Sequence, residues 1–204
     1  IKQLITAGDR DIIRNYLQLL QLLFPVQFLI SGCNRIVVLI HDCDAKIKIE
    51  FSITLTYLKL FHFLKKMKQK CTDMLKKLTG KKHIFFTNRG NTSIRLALKF
   101  CRENFEKLYI PDQGGWITYP QIGKKLKFDI EEIKTDYGIF EGSFDSLLLL
   151  NSMPAYYALL NMEKIKAPMI INDASGSIGT NQAKYGDIII GSFGRWKPLD
   201  VKYG

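Results

Sequence analysis

Apolar residues recur along the chain with two different periods, and the pattern changes near residue 80. The first part contains one helical pattern over Asp9 to Phe24, followed by short β-branched runs separated by turns. Those runs are Gln27 to Ile30, Arg35 to Ile40 and Ala45 to Ile53. The pattern predicts a small α+β module over residues 1–66.

A long amphipathic helix follows this module. Apolar residues recur every three or four positions from Leu60 to Leu78, and Gly80 supplies a helix stop signal. We expect this helix to lead from the first module into a second domain over residues 67–204.

Beyond Gly80, strand and helix patterns alternate. Apolar runs predict strands at His83 to Thr87, Leu108 to Pro111, Phe128 to Ile133, Leu147 to Asn151, Met169 to Asp173 and Asp187 to Phe193. Helices are predicted at Thr92 to Leu108, Thr118 to Leu126 and near Ala155 to Ile165. Such alternation is typical of a mostly parallel sheet covered by helices on both faces, so the predicted fold class is α/β. In these sheets ligands bind beyond the carboxyl ends of the strands.

Composition and charge narrow the class of protein. Hydrophobic residues at 47% and charged residues at 24% are typical of a globular chain. The net charge of +11 would attract anions, but the lysines cluster on polar faces of predicted helices, and no RNA-binding or zinc-finger signature accompanies them. We therefore expect no nucleic-acid partner. The uncharged stretch from Asn15 to Asn34 contains three glutamines and Pro25, which argue against a membrane helix.

Neither the cysteine spacing nor the cluster of ligand-type residues near His41 predicts a metal site. Cys33, Cys43, Cys71 and Cys101 form no C-x-x-C pair, which indicates reduced thiols in a cytoplasmic protein. The run from His41 to Asp44 contains ligand-type residues, but adjacent residues rarely converge on one ion.

Two loops that follow predicted strands contain candidate binding residues. Gly90, Asn91 and Thr92 stand at the start of a helix, where backbone N–H groups and the helix dipole favour a phosphate. Trp116 follows the next strand, and an indole face at that position could cover a flat ring. Taken singly, each also fits a structural role, as a capped glycine loop and as a packed tryptophan.

Two further strand ends carry charged side chains. Asp173 follows a buried apolar run, and a carboxylate there needs a cationic partner. Lys197 follows the last predicted strand, and a lysine held in a crevice can form a Schiff base with a carbonyl. Ser192, shortly before it, can donate a hydroxyl to a phosphate. Taken singly, Asp173 also fits a loop or helix cap and Lys197 a surface lysine.

The order of these elements resembles the aspartate-aminotransferase superfamily of fold-type I pyridoxal-phosphate enzymes, and within it the DegT/StrS-type aminotransferases. In that family a glycine-centred phosphate loop comes first, followed by an aromatic residue that stacks on the cofactor ring. The aspartate under the pyridine nitrogen comes next, and then a serine-phenylalanine segment that leads to the Schiff-base lysine. The matching residues here are Gly90 with Asn91 and Thr92, Trp116, Asp173, and Ser192 with Lys197. Asn151 matches the asparagine that often faces the phenolic oxygen of the ring.

The resemblance covers roughly residues 67–204 and implies the cofactor-binding large domain of such an enzyme, incomplete at its C-terminus. It implies pyridoxal 5'-phosphate as cofactor, with Lys197 and Asp173 as catalytic residues. The implied activity is that of an aminotransferase acting on an amino acid or amino sugar, with a small-molecule amino donor and acceptor, in a homodimer. The chain departs from the family pattern at Asn91, where a threonine is usual, and after Asp173, where Ser175 and Gly176 follow.

Two other functions remain open at this point. One is a catalytically inactive binding or structural protein that keeps the fold and makes contacts through a basic N-terminal module. The other is a nucleic-acid-binding fusion based on the net positive charge.

Overall fold

The computed structural model describes residues 62, 65–156, 158–194 and 197–199. The predicted N-terminal module, with its helix at Asp9 to Phe24 and its three strand runs, lies outside the described residues. The domain boundary near residue 66 therefore stays a prediction.

The described chain begins with helix α1, which includes residues 65–79. Its buried side chains Cys71 and Leu75 pack against Ile178 and Leu199, which come from the far end of the chain. The helix ends at Gly80, whose φ of 72° is readily adopted only by glycine and whose N–H donates to the carbonyl of Lys76 at 2.8 Å. The predicted amphipathic helix and its stop are thus confirmed for the described residues.

Five strands form a parallel sheet in the order β2-β1-β4-β6-β7. They are β1 (Lys107–Pro111), β2 (Asp129–Ile133), β4 (Leu147–Asn151), β6 (Met169–Asp173) and β7 (Ile188–Ile190). Two short strands, β3 (Gly142–Ser143) and β5 (Ile165–Lys166), pair with each other in a separate small sheet.

Helices cover one face of the five-stranded sheet. They are α2 (Gly90–Cys101) and α3 (Thr118–Lys125), and Leu98 of α2 packs on this face against Leu149 and Ile171. On the opposite face, Leu148 and Leu150 pack against a layer of loops and short 3-10 turns, at Met162–Lys164 and Gln182–Lys184. The α/β class and the mostly parallel sheet are confirmed, while the described residues provide α-helices on one face of the sheet instead of both.

The strand predicted at His83 to Thr87 is wrong. Its side chains alternate as in a strand, with Ile84 and Phe86 packed against the α1 cluster and Phe85 87% exposed. However, the segment lies beside α1 and forms no ladder with the five-stranded sheet in the described part of the chain. The alternation of buried and exposed side chains therefore gives this segment the sequence pattern of a strand without strand pairing.

The helix predicted near Ala155 to Ile165 is also wrong. The chain turns back on the end of β4, where the N–H of Leu160 donates to the carbonyl of Ser152 at 3.0 Å. Leu160 and Met162 are then both buried from an irregular segment. Their burial, rather than a helix, accounts for the spacing of apolar residues.

One helix and one strand end earlier than predicted. Helix α2 ends at Cys101 instead of Leu108, because Phe105 packs on the core from a loop and Leu108 belongs to β1. The last strand ends at Ile190 instead of Phe193.

Candidate functional site

The start of α2 has open hydrogen-bond donors. The N-cap residue, Arg89, provides no side-chain cap, and the first turn contains no acidic residue. Thr92 and Ser93 direct their N–H groups to the carbonyl of Arg89, whereas the N–H groups of Gly90 and Asn91 have no acceptor among the described residues. Such a helix start favours an anion.

Packing within the protein does not explain the glycine at residue 90. Gly90 is exposed, and a Cβ built on it would meet no atom within 4 Å. The space that a side chain would fill beside the open helix start is therefore available to a ligand.

Asn91 connects this helix start to Trp116. Its Oδ1 accepts hydrogen bonds from Nε1 of Trp116 at 3.2 Å and from Oγ1 of Thr118 at 3.1 Å. The indole keeps 55% of its surface exposed, although its N–H is anchored. The first two predicted binding elements thus lie side by side, and the tryptophan is not a packed core residue.

Asp173 ends β6 and is 6% exposed. Its Oδ2 accepts a hydrogen bond from the hydroxyl of Tyr119 at 2.6 Å, and its Oδ1 accepts one from the N–H of Ser175 at 3.0 Å. In the part of the chain that the structure describes, Asp173 forms no ion pair. The cationic partner that the sequence predicts for this carboxylate is therefore not a described side chain.

Tyr119 is a site residue that sequence reasoning missed. It lies in the first turn of α3, is 1% exposed and directs its hydroxyl to Asp173. Burial, followed by the charge and hydrogen bond of Asp173, raises the pKa of Tyr119 well above its ordinary value, so the phenol remains a donor. The spacing of Tyr119 and Ile122 was the available signal, because a tyrosine on the buried side of a helix needs a partner for its hydroxyl.

Asn151 lies next to Asp173, since β4 and β6 pair these two residues in parallel register. Its side-chain amide donates to the carbonyl of Gly114 at 3.0 Å, and its Oδ1 accepts from the N–H of Met153 at 3.0 Å. Asn151 therefore also holds the loop after β1 against the loop after β4.

Ser192 and Lys197 lie in a turn beyond β7, the strand that pairs with β6. Ser192 accepts a hydrogen bond on Oγ from the N–H of Gly194 at 3.2 Å, and the N–H of Lys197 donates to the carbonyl of Gly194 at 3.1 Å. The Lys197 side chain is half-buried. No hydrogen bond or ion pair joins it to Asp173 among the described residues, so no described contact links these two predicted site residues.

Helix α1 packs against the turn that contains Ser192 and Lys197. Phe193, which follows Ser192, packs on the cluster that Cys71 and Leu75 of α1 form with Ile178 and Leu199. Burial raises the pKa of the Cys71 thiol to about 11, so this residue contributes packing and not a thiolate.

Among the described residues, no helix has the length and apolar character needed to span a membrane. In the same part of the chain, no group of three His, Cys, Asp or Glu side chains is arranged to hold a metal ion.

The candidate site residues form two linked groups, with two further residues at the next strand end. Gly90, Asn91 and Trp116 form one group, Asp173 and Asn151 the other, and α3 joins them through Tyr119. Ser192 and Lys197 lie at the next strand end. In comparisons with known proteins, no family model, no curated protein and no solved structure matches this chain.

Proposed function

We propose that this chain is the cofactor-binding part of a pyridoxal-phosphate-dependent enzyme, an aminotransferase acting on an amino acid or amino sugar. The observation that carries the proposal is the buried carboxylate of Asp173, which neutral donors hold and no described cation pairs. A buried carboxylate of this kind favours a cationic ligand group. The protonated nitrogen of the cofactor ring is such a group, and the cofactor supplies an electron sink when that nitrogen stays protonated.

The phosphate of the cofactor fits the open start of α2. The N–H groups of Gly90 and Asn91 point away from the helix and lack protein acceptors among the described residues. Ser192 accepts from Gly194 on its oxygen, which leaves its own O–H to donate to the phosphate. The Thr92 hydroxyl donates to Oδ1 of Asn88 and would exchange that acceptor for the phosphate. A phosphate there would also interact favourably with the positive end of the helix dipole.

The ring fits between Trp116 and the strand ends. Trp116 has an anchored N–H and an exposed face that can cover a flat ring. Asp173 would accept from the ring nitrogen, and Asn151 would face the phenolic oxygen. Trp116 and Asp173 both contact the same short segment of α3, whose backbone fixes the distance between them.

Lys197 would hold the cofactor covalently through its amine. Its half-buried position in the turn that follows β7, the strand next to β6, supports this role. A lysine amine held beside the carbonyl of the cofactor can form a Schiff base with it. We propose a small-molecule amino donor and acceptor as partners, in a cytoplasmic homodimer.

The test is to label the lysine in the full-length protein. After incubation with excess pyridoxal phosphate and reduction with borohydride, peptide mapping should find the adduct on Lys197. The variant Lys197→Ala should lose the label and keep its fold, because the side chain is not part of the core clusters. The matched control Lys184→Ala removes an exposed lysine and should keep the label on Lys197.

A wild-type protein without any lysine adduct, or with the adduct on another residue, would contradict the proposal. The first of these results would favour the second candidate function, an inactive binding or structural protein with the same fold. One observation favours that alternative: Tyr119 and Ser175 already provide each oxygen of Asp173 with a donor.

A further inference from the structure

We propose that Tyr119 is a positioning residue, whose hydroxyl holds the Asp173 carboxylate oriented toward the cofactor ring. The inference rests on the proposed pyridoxal-phosphate function. It adds to that function a buried residue that acts on the cofactor through Asp173 and does not touch the cofactor itself.

The geometry fixes both oxygens of the carboxylate. Oη of Tyr119 lies 2.6 Å from Oδ2 of Asp173, a separation typical of a hydroxyl donating to an ionised carboxylate. The N–H of Ser175 holds Oδ1 at 3.0 Å. Because a carboxylate held at both oxygens cannot rotate freely, its remaining lone pairs point in a fixed direction.

The electrostatics favour the same assignment of the proton. Burial first, and Asp173 second, raise the pKa of Tyr119, so the proton stays on the phenol. The hydroxyl therefore remains available to donate to Oδ2 of Asp173. The pKa of Cys101 of α2, another buried titratable group in this core layer, is raised by burial first and by Asp187 second.

Tyr119 also connects the carboxylate with the predicted phosphate loop. Its N–H donates to the carbonyl of Trp116 at 2.9 Å, and the indole of Trp116 donates to Asn91 at the start of α2. One short segment of α3 therefore sets the spacing between the two ends of the proposed cofactor site.

The chain offers a matched control on the other face of the sheet. Tyr109 is 8% exposed and its hydroxyl donates to Oδ1 of Asp145 at 2.8 Å. Tyr109 packs in the core cluster of Phe140 and Leu148, away from α2 and α3. The substitutions Tyr109→Phe and Tyr119→Phe therefore both remove a tyrosine–carboxylate hydrogen bond, and only the second removes it from the proposed site. Tyr109→Phe also removes the bond that Lys107 donates to the Tyr109 hydroxyl.

The experiment measures the dissociation constant of pyridoxal phosphate for the full-length protein, without and with competing inorganic phosphate. We expect Tyr119→Phe to weaken binding roughly tenfold, since the lost hydrogen bond involves a charged group. Competition by inorganic phosphate should be unchanged, because the phosphate end of the site is not altered. Tyr109→Phe should match wild type in both measurements.

Tyr119→His has a shorter side chain, whose ring N–H cannot span the distance that the tyrosine hydroxyl covers, so it should weaken cofactor binding about as much as Tyr119→Phe. If Tyr119→Phe does not fold, Tyr119→His carries the test, and a folded Tyr119→His protein that binds the cofactor as tightly as wild type overturns the inference. An affinity of Tyr119→Phe equal to that of wild type overturns it as well. A wild-type protein that binds no pyridoxal phosphate overturns the proposed function itself, and is a different result.

Discussion

At the scale of single residues, Gly90 and Gly114 are glycines for different reasons. Gly114 has a φ of 77°, and a Cβ on it would lie 2.2 Å from Cβ of Pro154. Gly90 has an ordinary helical start and open space around it. Only Gly114 is required by the backbone and the packing of the protein.

This difference predicts opposite outcomes for the same substitution. Gly114→Ala should lower the free energy of unfolding by roughly 2 kcal/mol or more, because it combines a strained φ with a clash between the new Cβ and Pro154. Gly90→Ala should leave the stability within about 0.5 kcal/mol of wild type, or raise it, since alanine suits a helix better. Chemical denaturation measures both values. Gly90→Ala should still weaken pyridoxal-phosphate binding, and an unchanged affinity would show that no ligand approaches this backbone closely.

Tyr119 adds a pH dependence to the stability of the fold. Its pKa in the folded protein lies well above the ordinary tyrosine value, so the folded state keeps a proton that the unfolded chain releases. The resulting stabilisation is fully present below about pH 10 and is lost as the pH rises toward the folded-state pKa. We expect the free energy of unfolding to fall with rising pH in this range, and to fall less steeply in Tyr119→Phe.

The buried thiols of Cys71 and Cys101 also make the free energy of unfolding fall with rising pH. Burial raises the pKa of each to about 11. Because an unfolded thiol titrates at lower pH than an unfolded tyrosine, the contribution of the thiols begins to decline at lower pH than that of Tyr119. The informative quantity is therefore the difference in slope between variant and wild type, measured by urea unfolding at a series of pH values. Equal slopes would show that Tyr119 titrates normally in the folded protein.

At the scale of elements, helix α2 carries two leucines in opposite environments. Leu98 is fully buried against the sheet, whereas Leu96 is 54% exposed. Leu98→Ala should cost about 2–5 kcal/mol of unfolding free energy, because it leaves a cavity in the main core. Leu96→Ala, the same change two residues away, should stay within about 0.5 kcal/mol. Similar losses for the two variants would mean that α2 does not pack as described.

The elements that could be predicted from sequence are those whose signal is local and strong. Strands β4 and β6 were predicted with their observed bounds, because both are apolar runs in the middle of a sheet, buried on both faces. The segment from His83 to Thr87 has strand-like alternation, but its burial comes from α1 and not from a neighbouring strand. A pattern of buried positions does not reveal which element buries them.

The same distinction applies to the candidate site. The sequence placed Asp173 and Asn151 at strand ends, and parallel register brings them together. It did not reveal Tyr119, whose hydrogen bond to Asp173 spans 54 residues. Contacts over such a distance depend on how α3 docks on the sheet, and residue types alone do not specify that docking.

At the scale of the whole molecule, several large apolar side chains remain on the surface of the described chain. Phe85, Phe100, Ile117 and Tyr137 are all more than half exposed. The proposed homodimer would have such side chains available for its interface. We expect the full-length protein to sediment as a dimer, and a monomer that persists at high concentration would contradict this expectation.

The strand order has a consequence for synthesis on the ribosome. After β1 and β2 have paired, β4, β6 and β7 can each join the outer edge of the strand that precedes it in the sheet. The nascent chain can therefore build the sheet in the order in which it emerges, without inserting a late strand between earlier ones. Until β7 arrives, the open edge of β6 is a surface on which another chain can pair. Since Lys197 emerges after β7, we expect the proposed cofactor to become attached only once this edge has been covered.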